Sequence, residues 1–252
     1  MVRLCPVLFF LYVLNISGQQ TIRSNGLLSL KKSALVNTDA GIQVLATRFQ
    51  WAKVPLWIPE LNGVLFTDIP KNKAYLWAGK DELQLFLYPN RVTNHAPHST
   101  NEGGNGLTLD STSNLILCQH GNRAVSKLKS WSFVSPDYEV LVDHYQGRWL
   151  NIPNDLDYNK DGVLFFTDPP YGLKDVDQDS IKELDFNGTY KWSSDNGIKL
   201  LNMSFRRPNG ITLSEEEKIM YVGNSDSRNS IIVAYDLLDG VLNNKRIYFD
   251  GN

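Results

Sequence analysis

One short sentence of residues is written four times along this chain, and it constrains the fold more than any other feature. Asn105-Gly106-Leu107-Thr108-Leu109-Asp110 leads through a polar turn to Leu115-Ile116-Leu117-Cys118. Pro153-Asn154-Asp155-Leu156-Asp157-Tyr158 leads through Asn159-Lys160-Asp161-Gly162 to Val163-Leu164-Phe165-Phe166-Thr167-Asp168. Asn209-Gly210-Ile211-Thr212-Leu213 leads through Ser214-Glu215-Glu216-Glu217 to Ile219-Met220-Tyr221-Val222. An altered copy runs Lys53-Val54-Pro55-Leu56-Trp57, turns around Leu61-Asn62-Gly63, and continues Val64-Leu65-Phe66-Thr67-Asp68. Each copy reads as two strands around a turn, because the apolar runs are too short and too β-branched or aromatic for helices. Counting from Lys53 to Asn105, Asn154 and Asn209 gives intervals of 52, 49 and 55 residues. A period near fifty with several short strands per repeat predicts the blades of a β-propeller. One such sheet cannot bury both faces alone, so the units must stack about an axis.

The rest of the chain fits an all-β domain. Gly, Asn, Asp and Pro interrupt it every ten residues or so, and helical periodicity is absent almost throughout. We expect residues 46–252 to form the propeller, with 19–45 as an irregular leader or outer strand. Residues 1–18 read as a secretory signal peptide: Arg3 precedes an apolar run from Leu4 to Leu14, with Ser17 and Gly18 following. The expectation is therefore a secreted, extracellular protein with no membrane association once the signal is removed. Cys5 leaves with that segment, so Cys118 is the one mature thiol, expected as a small buried hydrophobe rather than a reactive group. Without a disulfide the domain must rest on its hydrophobic core, and 42% apolar residues supply one. The sequons Asn187-Gly188-Thr189 and Asn202-Met203-Ser204 suit secretion and would lie on surface loops. A formal net charge of −2, without basic or acidic blocks, argues against a nucleic-acid partner or an anionic membrane surface.

The repeats also carry chemistry. An Asn amide oxygen is a neutral hard ligand for Ca²⁺ and an acceptor for a sugar hydroxyl. Asn also favours tight turns for backbone reasons, and for a single Asn-Gly the turn is explanation enough. Asn105, Asn154 and Asn209 recurring at one place in successive repeats point instead to a shared central site. His120, in Gln119-His120-Gly121 after an apolar strand, is the candidate catalytic side chain, donating to a substrate oxygen or moving a proton. Capping a strand end is its alternative role. Asp226, Asp155 and Glu102 lie near the repeats, and each reads better as a loop carboxylate than as a site residue. His95 and His98 sit in a polar loop and lack a third metal ligand.

Four strings together resemble the gluconolactonase/regucalcin (senescence marker protein) family, and its gluconolactonase branch most closely. They are Pro153-Asn154-Asp155, Thr167-Asp168-Pro169-Pro170-Tyr171-Gly172-Leu173, Arg207-Pro208-Asn209-Gly210-Ile211 and Leu117-Cys118-Gln119-His120-Gly121. The resemblance spans about Phe49 to Asn252. It implies a six-bladed propeller of which about four blades are present. It implies hydrolysis of a small-molecule sugar (aldonic) lactone such as glucono-1,5-lactone, with a divalent metal polarising the carbonyl. Ca²⁺ is the expected ion, with Zn²⁺ or Mg²⁺ as alternatives. Carried over by position, Asn154 and Asn209 are metal ligands, and Asn105 and Asn154 bind substrate. Two departures stand out. Lys53 occupies the place of the family's ligand Glu, and the later Pro-Asp-Gly motif carrying a ligand Asp does not occur, as for a C-terminally truncated chain. The departures leave a second reading open, a non-catalytic propeller that binds carbohydrate or protein. A third, a paraoxonase-like calcium hydrolase, lacks support from the Gln-His-Gly and Pro-Asn-Gly strings.

Overall fold

The computed structural model describes residues 43–79, 83–90, 103–130 and 136–252, and these are all-β. Glu102, His95, His98 and the N-terminal signal segment lie outside them. Each sequence repeat is the inner half of a four-stranded antiparallel sheet whose strands follow chain order. The first blade is β1 (Ala52–Ile58), β2 (Gly63–Asp68), β3 (Lys73–Trp77) and β4 (Leu83–Leu87). The second is β5 (Gly104–Leu109), β6 (Leu115–Gln119), β7 (Ala124–Leu128) and β8 (Tyr138–Val142). A small hairpin, β9 (His144–Tyr145) and β10 (Arg148–Trp149), precedes the third. That blade is β11 (Leu156–Tyr158), β12 (Leu164–Asp168), β13 (Gly188–Ser193) and β14 (Gly197–Asn202). The fourth is β15 (Pro208–Leu213), β16 (Ile219–Asp226), β17 (Asn229–Leu238) and β18 (Val241–Asp250). The four-blade arrangement is the one that the repeat count predicts.

Apolar side chains sort into three cores, one at each junction between consecutive blades. The period of two in a strand explains how. Along β6, Leu115 and Leu117 enter the core shared with the first blade, while Ile116 and Cys118 enter the core shared with the third. Along β12, Leu164 and Phe166 face the second blade and Phe165 faces the fourth. These strands are apolar at consecutive positions because both of their faces are covered. Each such side chain contributes roughly 1.5–3 kcal/mol on burial. Cys118 is fully buried, and burial pushes its thiol up from the ordinary range.

Polar seams join consecutive inner strands. Thr67 Oγ donates to the carbonyls of Lys53 (3.3 Å) and Asn105 (3.2 Å), and Thr167 Oγ donates to that of Asn209 (2.5 Å). Gly106 N–H donates to the Asn154 carbonyl at 2.8 Å. A Cβ on Gly106 would lie 2.7 Å from that oxygen and 2.9 Å from Asp155 Cα, so only glycine permits the approach. Between the third and fourth blades, Asp155 Oδ2 accepts from Ile211 N–H at 3.0 Å, and Asp157 Oδ2 accepts from Leu213 N–H at 2.9 Å.

The last residue of the Phe-Thr-Asp string ties down the chain entering the first and third blades. Asp68 accepts from Trp51 N–H (2.9 Å), and Asp168 accepts from Asn151 N–H (2.8 Å). Asn224 serves Arg207 N–H (3.0 Å) in the fourth blade. Arg123 is fully buried between the second and third blades, donating from Nε to the Leu150 carbonyl (2.8 Å) and from Nη1 to that of Ile181 (2.9 Å). Asp168 shares this region. Burial raises its carboxyl to about 7, against the opposing pull of the Asn151 N–H and the Arg123 charge.

One sequence expectation fails. Asn187 does not lie on a surface loop: it is 7% exposed, and its amide bonds the Arg206 carbonyl (2.9 Å) and Asp177 Oδ1 (3.1 Å). It is a structural tie at the entrance to β13, and sugar attachment would take one of the two amide hydrogens and break one of these bonds. Asn202, at the end of β14, is half-buried and donates to Tyr235 Oη at 2.8 Å.

Candidate functional site

The strand register places Lys53 and the three asparagines at one step of the fold. Ala52 pairs with Asp68 and Gly104 with Gln119, the last residues of β2 and β6, and Pro208 pairs with Asn224, two residues before the end of β16; Lys53, Asn105 and Asn209 each follow the paired residue. In the third blade Asn154 N–H donates to the Thr167 carbonyl, one residue before Asp168, which gives it the same place. The four residues therefore stand at the same end of the four innermost strands. Bulges follow this step in the first, second and fourth blades, re-aiming the side chains there.

His120 joins them. It opens a short 3-10 turn, His120–Asn122, directly after β6, and is 3% exposed. The Asn105 amide nitrogen lies 3.2 Å from His120 Nε2. With the amide donating, Nε2 is the acceptor and the ring proton sits on Nδ1. Burial, aided by the positive charge of Lys53, lowers this imidazole to about 3, so it is neutral at physiological pH. It can donate from Nδ1 but is too weak a base to hold a second proton. Asn105 Oδ1 and His120 Nδ1 are both buried without a hydrogen-bond partner. In a folded protein such orphaned atoms need a reason, and a bound polar ligand is one.

Lys53 is half-buried, and burial lowers its ammonium from the ordinary value while Asp155 opposes that shift. Asp155, next to Asn154, is raised to about 6, chiefly by burial. The bond from Ile211 N–H and the Lys53 charge restrain the rise. At the other side of the ring, Asn209 Nδ2 donates to Ser225 Oγ (3.1 Å), which lies 2.7 Å from Tyr171 Oη. The Arg207 guanidinium sits 5.8 Å above the Tyr171 ring. Sequence reasoning missed Ser225 and Tyr171 as neighbours of Asn209; the Pro-Pro-Tyr string was a signal for the second. Asp226 points elsewhere, pairing with Arg228 at 3.1 Å and Arg206 at 3.8 Å as a turn carboxylate.

The donor set does not suit a divalent cation. A hard cation is held by several oxygens with carboxylates among them. This ring offers three neutral amides, the carboxyl of Asp155 is engaged by Ile211, and the fourth position carries an ammonium. Among the described residues no three His, Cys, Asp or Glu side chains form a cluster able to hold a metal. What these positions bring together is a buried, unpartnered acceptor at Asn105, a buried, unpartnered donor at His120 and a lysine at position 53. That combination suits a neutral, hydroxyl-rich molecule carrying a carbonyl.

Comparison with known proteins agrees with this architecture. Residues 51–252 match the model of the SMP-30/gluconolactonase/LRE-like region. A gluconolactonase of Zymomonas mobilis is 34% identical over 211 residues, 83% of this chain and 58% of its own length. Among solved structures, a gluconolactonase of Xanthomonas campestris superposes with a TM-score of 0.71 at 26% identity, over 83% of this chain and 66% of that one. A regucalcin of Agrobacterium tumefaciens, described as a calcium-binding protein, superposes with a TM-score of 0.59 at 13% identity, over 83% and 63%, and shows the fold alone. The chain thus spans somewhat over half the length of the gluconolactonase it matches in sequence.

Proposed function

Because this chain belongs to the SMP-30/gluconolactonase/LRE-like family, we propose that it hydrolyses the ring ester of a sugar lactone, an aldonic lactone such as glucono-1,5-lactone, outside the cell. The observation that carries the reading is the ring itself: Lys53, Asn105, Asn154 and Asn209 at one register step, with His120 bonded to Asn105. Asn105 Oδ1 accepts from a sugar hydroxyl, and the amides of Asn154 and Asn209 orient the remaining hydroxyls. His120 Nδ1–H and the Lys53 ammonium face the oxygen that becomes negative when water adds to the carbonyl carbon. Fixed donors aimed at that oxygen, in a place that excludes water, lower the barrier more than any other single device in such reactions. Collapse of the adduct breaks the ring C–O bond and leaves a hydroxy acid. Asp155, raised to about 6, has the proton affinity to take the proton of the attacking water near neutral pH and to return it to the ring oxygen as its C–O bond breaks. Export is supported by the N-terminal order of Arg3, an apolar run and small residues.

The test is hydrolysis of glucono-1,5-lactone by the full chain, followed by titration of released acid at constant pH. We expect turnover above the spontaneous rate and at least a tenfold loss in Asn105→Ala, judged folded by its melting curve. Turnover that survives Asn105→Ala unchanged would sink the site assignment. The absence of any carboxylate among the four ring positions favours one other reading, a carbohydrate-binding propeller. Saturable lactone binding without turnover would establish it.

A further inference from the structure

We infer that the Lys53 ammonium is the fixed cation of this ring, so that the site holds and polarises its ligand without a divalent metal. The inference rests on the lactone reading above and concerns the same site. Register puts Lys53 at the step that Asn105 and Asn209 occupy in their own blades. Thr67 Oγ bonds the Lys53 and Asn105 carbonyls together, which fixes the two strands side by side at this step. The side chain is half-buried rather than swung out into solvent. Its charge is felt by both His120, after the second blade's β6, and Asp155, beside Asn154 in the third.

The backbone adds an independent sign. Val54, the next residue, sits at φ 49°, a left-handed conformation that a β-branched residue adopts only against steric resistance. Its counterparts in the other three blades are Gly106, Asp155 and Gly210, none of them left-handed. The first repeat therefore departs from the others in backbone as well as side chain, at the residue that follows the lysine. A divalent ion within reach of the orphaned Asn105 Oδ1 would meet this fixed like charge in a poorly solvated place. An ammonium on this strand supplies the positive charge of the site and needs no ion from solution.

The experiment is calorimetric titration of Ca²⁺, and separately Zn²⁺, into the full chain and into Lys53→Glu, Lys53→Gln and Lys53→Arg, each shown to be folded by circular dichroism. Wild type and Lys53→Arg should bind neither ion at millimolar concentration. Lys53→Glu should bind Ca²⁺ at least a hundredfold more tightly than wild type, with Lys53→Gln between them. If Lys53→Glu does not fold, the contrast between Lys53→Gln and Lys53→Arg decides the matter. Micromolar binding by wild type would overturn the inference, and so would chelator-sensitive lactone turnover. Failure of every folded variant to bind would overturn it too, because the ring would then be no cation position. Absence of lactone turnover throughout, with the titration contrast intact, would instead defeat the lactonase reading and leave the fixed cation standing.

Discussion

Replacing Arg123 by Met tests whether the second and third blades are joined by a buried charge as well as by apolar packing. The guanidinium is fully buried, and Nε and Nη1 donate to the carbonyls of Leu150 and Ile181, with the Asn151 carbonyl also within 3.2 Å of Nε. Met keeps much of the volume but strands these acceptors, and a charge-assisted bond is worth about 1.5–3 kcal/mol. The substitution also removes the cation that restrains Asp168, so that carboxyl is free to rise further. The two donated bonds together predict a loss of about 4 kcal/mol at pH 8. For a domain of this size that is a fall in Tm on the order of 10 °C. At pH 5 the folded Asp168 is protonated, so the part due to its unpaired charge vanishes and the loss should shrink. Urea unfolding at both pH values, with Asp168→Asn and the double variant closing a thermodynamic cycle, separates the two contributions. A loss below about 1 kcal/mol at pH 8 would refute the reasoning. So would equal losses at the two pH values with strictly additive effects in the cycle.

Two further outcomes follow from the same structure. Asp168 is raised from an ordinary 3.8 to about 7 in the fold, so between those values the folded state holds a proton that the unfolded chain has released. Stability should therefore be greatest below about pH 4 as far as this group is concerned, and fall by on the order of 4 kcal/mol as the pH rises to 7. Asp168→Asn should flatten that slope in pH-dependent melting, and an unchanged slope would assign it to another group. The Cys118 thiol is fully buried and pushed upward by burial, so an aromatic disulfide reagent should label it only after unfolding in guanidinium. Rapid labelling of Cys118 itself in the folded chain, located by mass spectrometry, would contradict the placement of β6.

The architecture was legible in the sequence because the repeats announce themselves by position, and the blades follow from their spacing. Asn105, Asn154, Asn209 and Lys53 share a structural step because they share a sequence step. The pairing of Asn105 with His120 was not legible, since each residue was a candidate alone and only the antiparallel return of β6 brings them together. Arg123 gave no signal: Gly121-Asn122-Arg123 reads as an exposed polar turn, and residues near 150 and 181 bury it from another blade. Asn187 misled for the same reason, since a sequon reports three residues and not what folds over them. The Phe-Thr-Asp string at residues 66–68 and 166–168 was visible as a repetition. Its use became visible only with the partners, because Thr67 and Thr167 bond the following blade while Asp68 and Asp168 bond the chain entering their own.

The alternation of β6 and β12 between two cores has a consequence for how this protein tolerates change. Ile116 and Leu117 are covalent neighbours, yet they belong to different junctions, and so do Phe165 and Phe166. Substitutions at such adjacent positions should combine nearly additively, whereas Leu117 and Leu65, from different blades but one core, should compensate or aggravate each other. Dependence between mutations in this chain is thus drawn by the junctions between blades, and distance along the sequence is a poor guide to it.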